Sequence, residues 1–257
     1  MTTARVRVDV AGGVGRMTLA RPEKKNALDA KTAAELVEAL MQFEADDNVR
    51  AVLLAADGDD FCAGADLEAL AAMRDASADE HTEDAEVLGR VFLTMRGMQK
   101  PVVAAVQGKA LGGGCGLATA CDVVLARDDA QFGYPEVRIG FVPAMVMNML
   151  RRAVGEKRAF DLAVSGRLIG AAEAERIGLV SRVLGSTGFT SEVERYVLGL
   201  AAHPMTAMGL TKRLFYRLDL LSFREGISEG VRTNVEARQT EEFRAGMLRF
   251  MKPEKQK

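Results

Sequence analysis

The groups that could do chemistry in this 257-residue chain are mostly backbone groups at glycine-rich turns. The run Leu111-Gly112-Gly113-Gly114-Cys115-Gly116 follows Val102-Val103-Ala104-Ala105-Val106, which reads as a buried strand. It precedes Leu117-Ala118-Thr119-Ala120, which reads as a short helix. Glycines at a strand-to-helix turn let the main chain approach a ligand with no side chain in the way. The helix that follows aims its unpaired N–H groups and positive dipole end at that ligand. A second turn of this kind, Phe61-Cys62-Ala63-Gly64-Ala65-Asp66-Leu67, also follows an apolar strand. Donors from two such turns, converging on one oxygen, make an oxyanion hole.

Other chemistries fit less well. No Gly-Lys-Ser/Thr follows the glycine run, so it is not a phosphate loop, and Leu117 stands where a dinucleotide fingerprint needs its last glycine. Glu136, in Tyr134-Pro135-Glu136-Val137, is the candidate acid–base group, although an isolated glutamate is more often a solvated loop residue. Neither Asp66 nor Asp122 pairs with it in sequence, and Asp66 stands where a helix starts, the position of a capping carboxylate. His81 and His203 read as surface residues. Cys62 and Cys115 sit at the two turns with no base beside them and read as small packing residues. Met145, Met147 and Met149 line either a core or an apolar ligand tunnel.

The elements that must position these groups alternate between periods of two and of 3.6 residues. Arg5 to Val10 and Val14 to Leu19 alternate around Gly12-Gly13 and predict a hairpin. Asp29 caps a helix whose apolar face is Ala33, Leu36, Val37, Leu40 and Phe43. Ala51–Ala56 is continuously apolar, as in a strand covered on both faces. Asp75 to Glu86 reads as an acidic, mobile loop leading into a helix with Val87, Leu88, Val91, Met95 and Met98 on its buried stripe. Strands follow at Val102–Val106 and Asp122–Ala126, with a short apolar patch at Ala130–Gly133. This alternation predicts an α/β fold with largely parallel strands. Beyond Gly140 helices are predicted at 144–154, 156–164, 171–177, 190–202, 205–218 and 222–249, the last broken, with one more short strand at Val180–Leu184.

Composition bounds the function. Apolar residues make up 48% and the net charge is −2, which advertises no basic surface for nucleic acid. Three cysteines predict no disulfide frame and no zinc site, and two histidines exclude a histidine-rich metal site. No apolar run reaches the roughly 20 residues of a membrane helix. The cysteines read as reduced thiols, so a cytoplasmic setting is expected, and Met1-Thr2-Thr3-Ala4-Arg5-Val6 lacks the apolar stretch of a secretory signal.

Several segments, taken together, resemble one family. They are Arg21-Pro22 with Asn26-Ala27-Leu28, the Phe61–Leu67 turn, Lys100–Gly108, Leu111–Gly114, Ala120-Cys121-Asp122, Ala130–Gly133 and Pro135-Glu136. In that order and spacing they resemble the crotonase (enoyl-CoA hydratase/isomerase) superfamily, over about residues 5 to 250. The resemblance implies an α/β crotonase (ClpP-like) spiral of ββα units over 1–190, carrying the coenzyme A and oxyanion sites. It implies a helical C-terminal oligomerisation module over 191–257, in a homotrimer or a hexamer made of two trimers. It implies an acyl-CoA thioester substrate, with coenzyme A arriving as part of the substrate and no separate cofactor. By the same match Ala65 and Gly113 supply the two oxyanion-hole N–H groups and Glu136 is catalytic. Ala63, Asp66 and Leu67 contact coenzyme A, and Lys24 or Lys25 reaches its phosphates unless both are simply solvated. Leu70, Tyr134, Phe141, Met145 and Phe250 line the acyl pocket.

Two departures stand out. The family's hydratases use two glutamates, and Gly116 occupies the position of the first. They also carry small residues after the proline matching Pro143, where this chain has Ala144-Met145-Val146-Met147-Asn148. A lone carboxylate can still shuttle a proton between C2 and C4 of an acyl chain. Three readings follow: an isomerase or hydratase-like lyase using Glu136 alone, another thioester reaction such as hydrolysis or decarboxylation, and a non-catalytic acyl-CoA binder.

Overall fold

The computed structural model describes residues 4–251, except for the side chain of Phe250. Along the chain the elements are β1 (Val6–Ala11), β2 (Val14–Leu19), α1 (Ala30–Ala45), β3 (Ala51–Ala56), α2 (Leu67–Ala72) and α3 (Ala78–Gly97). Then come β4 (Val102–Val106), β5 (Lys109–Leu111), α4 (Gly113–Ala120), β6 (Val123–Arg127) and β7 (Gln131–Gly133). The remainder is α5 (Met147–Val154), α6 (Glu156–Ser165), β8 (Leu168–Gly170), α7 (Ala171–Ile177), β9 (Arg182–Leu184), α8 (Phe189–Ala201), α9 (Met205–Arg217), α10 (Phe223–Gln239) and α11 (Glu241–Phe250).

A six-stranded sheet runs in the order β1-β2-β3-β4-β6-β9. The β1–β2 hairpin is antiparallel and every later pairing in this sheet is parallel. Both faces are covered, as the continuous apolar run of β3 requires. Val52 and Leu54 point to one side, among Leu36, Leu40 and Phe43 of α1. Ala51 and Leu53 point to the other, where Val193, Val197 and Ala201 of α8 pack. A second, three-stranded sheet, β5-β7-β8, pairs β5 with β7 in parallel. This small sheet matters most for chemistry. The glycine run leaves the end of β5 at Leu111, and the Glu136 segment leaves the adjacent end of β7 at Gly133.

The segment expected to be a mobile acidic loop is helical from Ala78 onward. Ser77 and Glu80 close a capping box there, each side chain bonding the other's backbone N–H, which overrides the polar composition. The helix after the glycine run starts at Gly113, inside the run itself. The predicted break in the last helix falls at Thr240, which caps α11. No helix among the described residues is long and apolar enough to cross a membrane.

The C-terminal helices are tied to the core by a buried polar network that sequence reasoning missed. Lys212 of α9 donates to the carbonyls of Met95 (2.7 Å) and Lys100 (2.9 Å) and to Asp122 Oδ2 (2.7 Å). Asp122 also accepts from Val102 N (2.7 Å) and from the Tyr216 hydroxyl (2.6 Å). Side-chain exposures of 7% and 16% place the Lys212–Asp122 pair in the interior, where removing one partner strands a charge. Asp122→Ala should therefore cost about 3–5 kcal/mol in denaturant unfolding. A loss under about 1 kcal/mol, typical of a surface pair, would show that the network does not hold α9 in place.

Candidate active site

The Phe61–Leu67 turn is held by the Arg21–Leu28 segment through backbone bonds. Ala63 N donates to Lys25 O (3.0 Å), Leu28 N to Gly64 O (2.7 Å) and Asp66 N to Leu28 O (2.8 Å). The last two flank Ala65 N, which has no acceptor among the described residues. Lys25 and Asn26 adopt left-handed backbone, with φ of 51° and 55°, a conformation of a kind that costs about 1 kcal/mol or more per residue. Asn26 holds the bend by accepting from Arg21 N (2.9 Å) and donating to the carbonyls of Asp57 (2.8 Å) and Asp60 (2.9 Å). Asp66 caps α2 and pairs with Arg21 at 3.0 Å. Burial pushes its acidity one way, but Arg21 and the two helix amides outweigh it and hold the carboxyl below its ordinary range.

The glycine run is stitched to that turn. Cys62 N donates to Lys109 O (3.0 Å), and Leu111 N donates back to Cys62 O (2.9 Å). Gly112 N donates to Gly133 O (2.8 Å), which fixes the run against the start of the Glu136 segment. Gly113 is the first residue of α4, so its N–H has no intrahelical acceptor, and no other group among the described residues accepts it. The two turns abut: a Cβ built on Gly64 would lie 3.5 Å from Gly113 N. Two unpaired amides, Ala65 N and Gly113 N, thus come from neighbouring bends onto one cavity.

That cavity, of about 520 Å³, is lined by both turns, by Leu88 of α3, and by 135–146. Glu136 lies over Gly112, whose φ of +52° only glycine adopts readily and whose absent Cβ would stand 3.0 Å from Glu136 Oε1. Two other carboxylates line the cavity. Asp66 is occupied by Arg21 and the α2 cap, and Glu68 pairs with Lys24 at 2.6 Å. Glu136 Oε2 is buried with no hydrogen-bond partner. Burial raises the Glu136 pKa, outweighing a bond from its own backbone. Burial likewise pushes the Cys62 thiol up to about 12 and the Cys115 thiol up to about 11, so neither offers a thiolate. Among the described residues no cluster of three His, Cys, Asp or Glu could hold a metal ion.

Of the residues singled out from sequence, Lys24, Ala63, Ala65, Asp66, Leu67, Leu70, Gly113, Glu136, Phe141 and Met145 all line this cavity. Tyr134 does not. It is fully buried, with its hydroxyl 3.1 Å from Thr119 Oγ1, because a phenol enclosed in a core needs a polar partner and finds it there. Lys25 is exposed and outside the lining; its backbone carbonyl braces the turn instead. The side chain of Phe250 lies outside the described residues. Gly116 is buried in α4, and the space beside it is filled by Val146, so no carboxylate takes the place of a first acid there. Ile139 and Val142 also line the cavity without having been singled out from sequence, whereas Val146 comes from the bulky segment after Pro143 that was, and Leu88 from the buried stripe of α3. The signal was present in the apolar bulk around Pro143, but only the path of the chain brings it to the cavity.

The enoyl-CoA hydratase/isomerase family model matches residues 9–257. A Thermus thermophilus protein carrying an enoyl-CoA hydratase name is 39% identical over 93% of this chain and 94% of its own. The crotonyl-CoA hydratase of Syntrophomonas wolfei is 38% identical over 75% of this chain and 74% of its own. The crystal structure of an enoyl-CoA hydratase from Mycobacterium smegmatis superposes with a TM-score of 0.91 at 32% identity, covering 96% of both chains. The chain belongs to the enoyl-CoA hydratase/isomerase family and has the crotonase fold.

A raised glutamate pKa has a consequence for stability. The folded-state value exceeds the unfolded one, so Glu136's favourable contribution is full below the ordinary glutamate value of 4.5 and is lost as pH rises through the raised folded value. Glu136→Gln abolishes that titration. Its melting temperature should exceed the wild type's at neutral and alkaline pH, and the gap should close in acid. A variant less stable than wild type at alkaline pH would contradict the burial of this carboxylate.

Proposed function

We propose that this protein processes acyl-CoA thioesters by forming a thioester enolate, with Glu136 as the single acid–base group, and that its reaction is a 3-enoyl to 2-enoyl double-bond shift. The observation that carries this reading is one half-buried carboxylate, with one buried oxygen lacking a partner among the described residues, beside two backbone amides without acceptors on one mostly apolar cavity. The thioester oxygen accepts from Ala65 N and Gly113 N. Loss of the C2 proton puts charge on that oxygen, where one such donor is worth about 3 kcal/mol of barrier. Glu136 takes the C2 proton and returns it at C4, on the same face of the chain. Its raised pKa suits both halves of the transfer, since a base poised closer to neutrality is also a usable acid.

Coenzyme A arrives with the substrate, and the reading invokes no resident cofactor. Lys24, Ala63, Asp66 and Leu67, at the mouth beside the first turn, meet the coenzyme A portion. Leu70, Phe141 and Met145 meet the acyl chain. The relatives' hydratase names are compatible with the same enolate. Adding water, however, benefits from a second acid–base group, and the Gly116 position offers none.

The reading also assigns residues 191–257 to contacts between copies in a homotrimer or hexamer. Its support is an apolar stripe on α10, Phe223, Ile227, Val231 and Val235, spaced by one turn and exposed.

Incubation with 3-hexenoyl-CoA and crotonyl-CoA separates the reactions. The expected outcome is 2-hexenoyl-CoA from the first, with little 3-hydroxyacyl product from either. Glu136→Gln should lower turnover at least ~10²-fold while leaving acyl-CoA binding nearly intact. Equal activity in that variant would reject Glu136 as the acid–base group.

A further inference from the structure

Gly112 caps α4 and its carbonyl accepts from Gly116 N (2.9 Å), so the two glycines form notches one turn apart at the start of the helix. Each notch is filled by a side chain from the 135–146 segment. The Glu136 carboxylate stands over Gly112, where a Cβ would be 3.0 Å from Oε1. Val146 stands over Gly116, where a Cβ would overlap its Cγ1 outright and lie 2.9 Å from its Cβ. Gly116 has ordinary helical backbone, so steric contact rather than conformation requires a glycine there. The ring edge of Phe92 closes the far side, 3.7 Å from the same point. Val146 is itself buried, at 3% exposure, and lines the cavity.

This packing sets the Val146 methyl pair over Gly116, one hydrogen-bonded turn along the chain from the glycine that Glu136 covers. A water poised to attack C3 needs two or more polar partners to stay ordered. The Gly116 notch supplies hydrocarbon instead, and Asp66 and Glu68 are already engaged elsewhere.

We propose that Val146, seated in the Gly116 notch, determines which reaction the site performs, by denying a nucleophilic water a place beside Glu136. The proposal rests on the reading of Glu136 as the acid–base group. In the double-bond shift one C–H bond at C2 breaks and one at C4 forms, with no net change in atoms. In hydration of the 2-enoyl thioester the C2=C3 π bond and one O–H bond of water break, the water oxygen bonds C3 and the proton bonds C2. Val146 favours the first by keeping the second reactant out, and the same exclusion keeps the carboxylate desolvated.

Two variants and one isotope experiment test this on the full-length enzyme. Val146→Thr keeps the shape that fills the notch and adds a hydroxyl able to hold a water; Val146→Ala opens space for one. With 3-hexenoyl-CoA, the ratio of 3-hydroxyhexanoyl-CoA to 2-hexenoyl-CoA should rise about tenfold in at least one variant, a small part of the 10²–10⁴ a positioned acid–base group is worth. The ionisation seen in the pH–rate profile should move toward an ordinary glutamate. A structural role alone would lower activity without changing the product ratio. An unchanged ratio and profile in both variants, with acyl-CoA binding retained, would overturn the proposal.

The wild-type enzyme supplies a measurement that needs no variant. In deuterated water a sealed site should carry most of the C2 hydrogen through to C4, so the product should contain little deuterium. Complete deuterium incorporation within a single turnover would show that water reaches Glu136 freely and would overturn the proposal. The Glu136→Gln enzyme, assayed in parallel, separates the two ideas. If it keeps full activity, the acid–base assignment fails. If it is inactive while the Val146 results are negative, only the role of Val146 fails.

Discussion

Two backbone amides with no acceptor among the described residues are the constraint around which the rest of the site is built. Ala65 is exposed and Gly113 half-buried on the cavity, so their N–H groups can wait for a ligand while the chain satisfies the backbone groups beside them. It does so with short ladders. Leu28 brackets Ala65 by bonding Gly64 O and Asp66 N, while Cys62 donates to Lys109 O and accepts from Leu111 N across the two turns. The strained bend at Lys25 and Asn26, the Arg21–Asp66 pair and the small β5-β7-β8 sheet all serve this stitching. None of these residues touches the reacting atoms in the proposed chemistry, yet each sets where the amides point.

The second element is a trade between stability and reactivity. Glu136 has one oxygen that no group in the protein satisfies, in a cavity whose walls are mostly apolar. The chain tolerates that cost because its core is large and its sheet is covered on both faces. At the start of α4 two glycines form seats, one under the Glu136 carboxylate and one under Val146. On the proposed reading, a family scaffold favours a bare proton transfer over addition of water through this packing, with no change to the two amides.

Much of the fold was legible because its signals are local. The Gly12-Gly13 hairpin, the Asp29 cap, the unbroken apolar run of β3 and the helix boundaries beyond residue 156 follow from periodicity and capping. The acidic first turns of α3 were also legible in principle, since Ser77 and Glu80 spell a capping box that their polarity masks. The order of motifs allowed the two turns and Glu136 to be placed together. What could not be read are contacts made by distant segments. Lys212 and Asp122 are 90 residues apart, and nothing local to either announces the pair. Tyr134 looked like an acyl-pocket aromatic, but its ring faces inward to reach Thr119. Gly116 read as an absence, whereas the structure shows a site filled by Val146.

The central claim is that Ala65 N and Gly113 N grip one thioester oxygen. Infrared difference spectroscopy of a saturated acyl-CoA with an isotope-labelled thioester carbonyl tests it most directly. The carbonyl stretch should fall to lower frequency on binding than in water, and the fall should persist in Glu136→Gln because the donors are backbone groups. A bound carbonyl whose stretch equals its value in water would contradict the account.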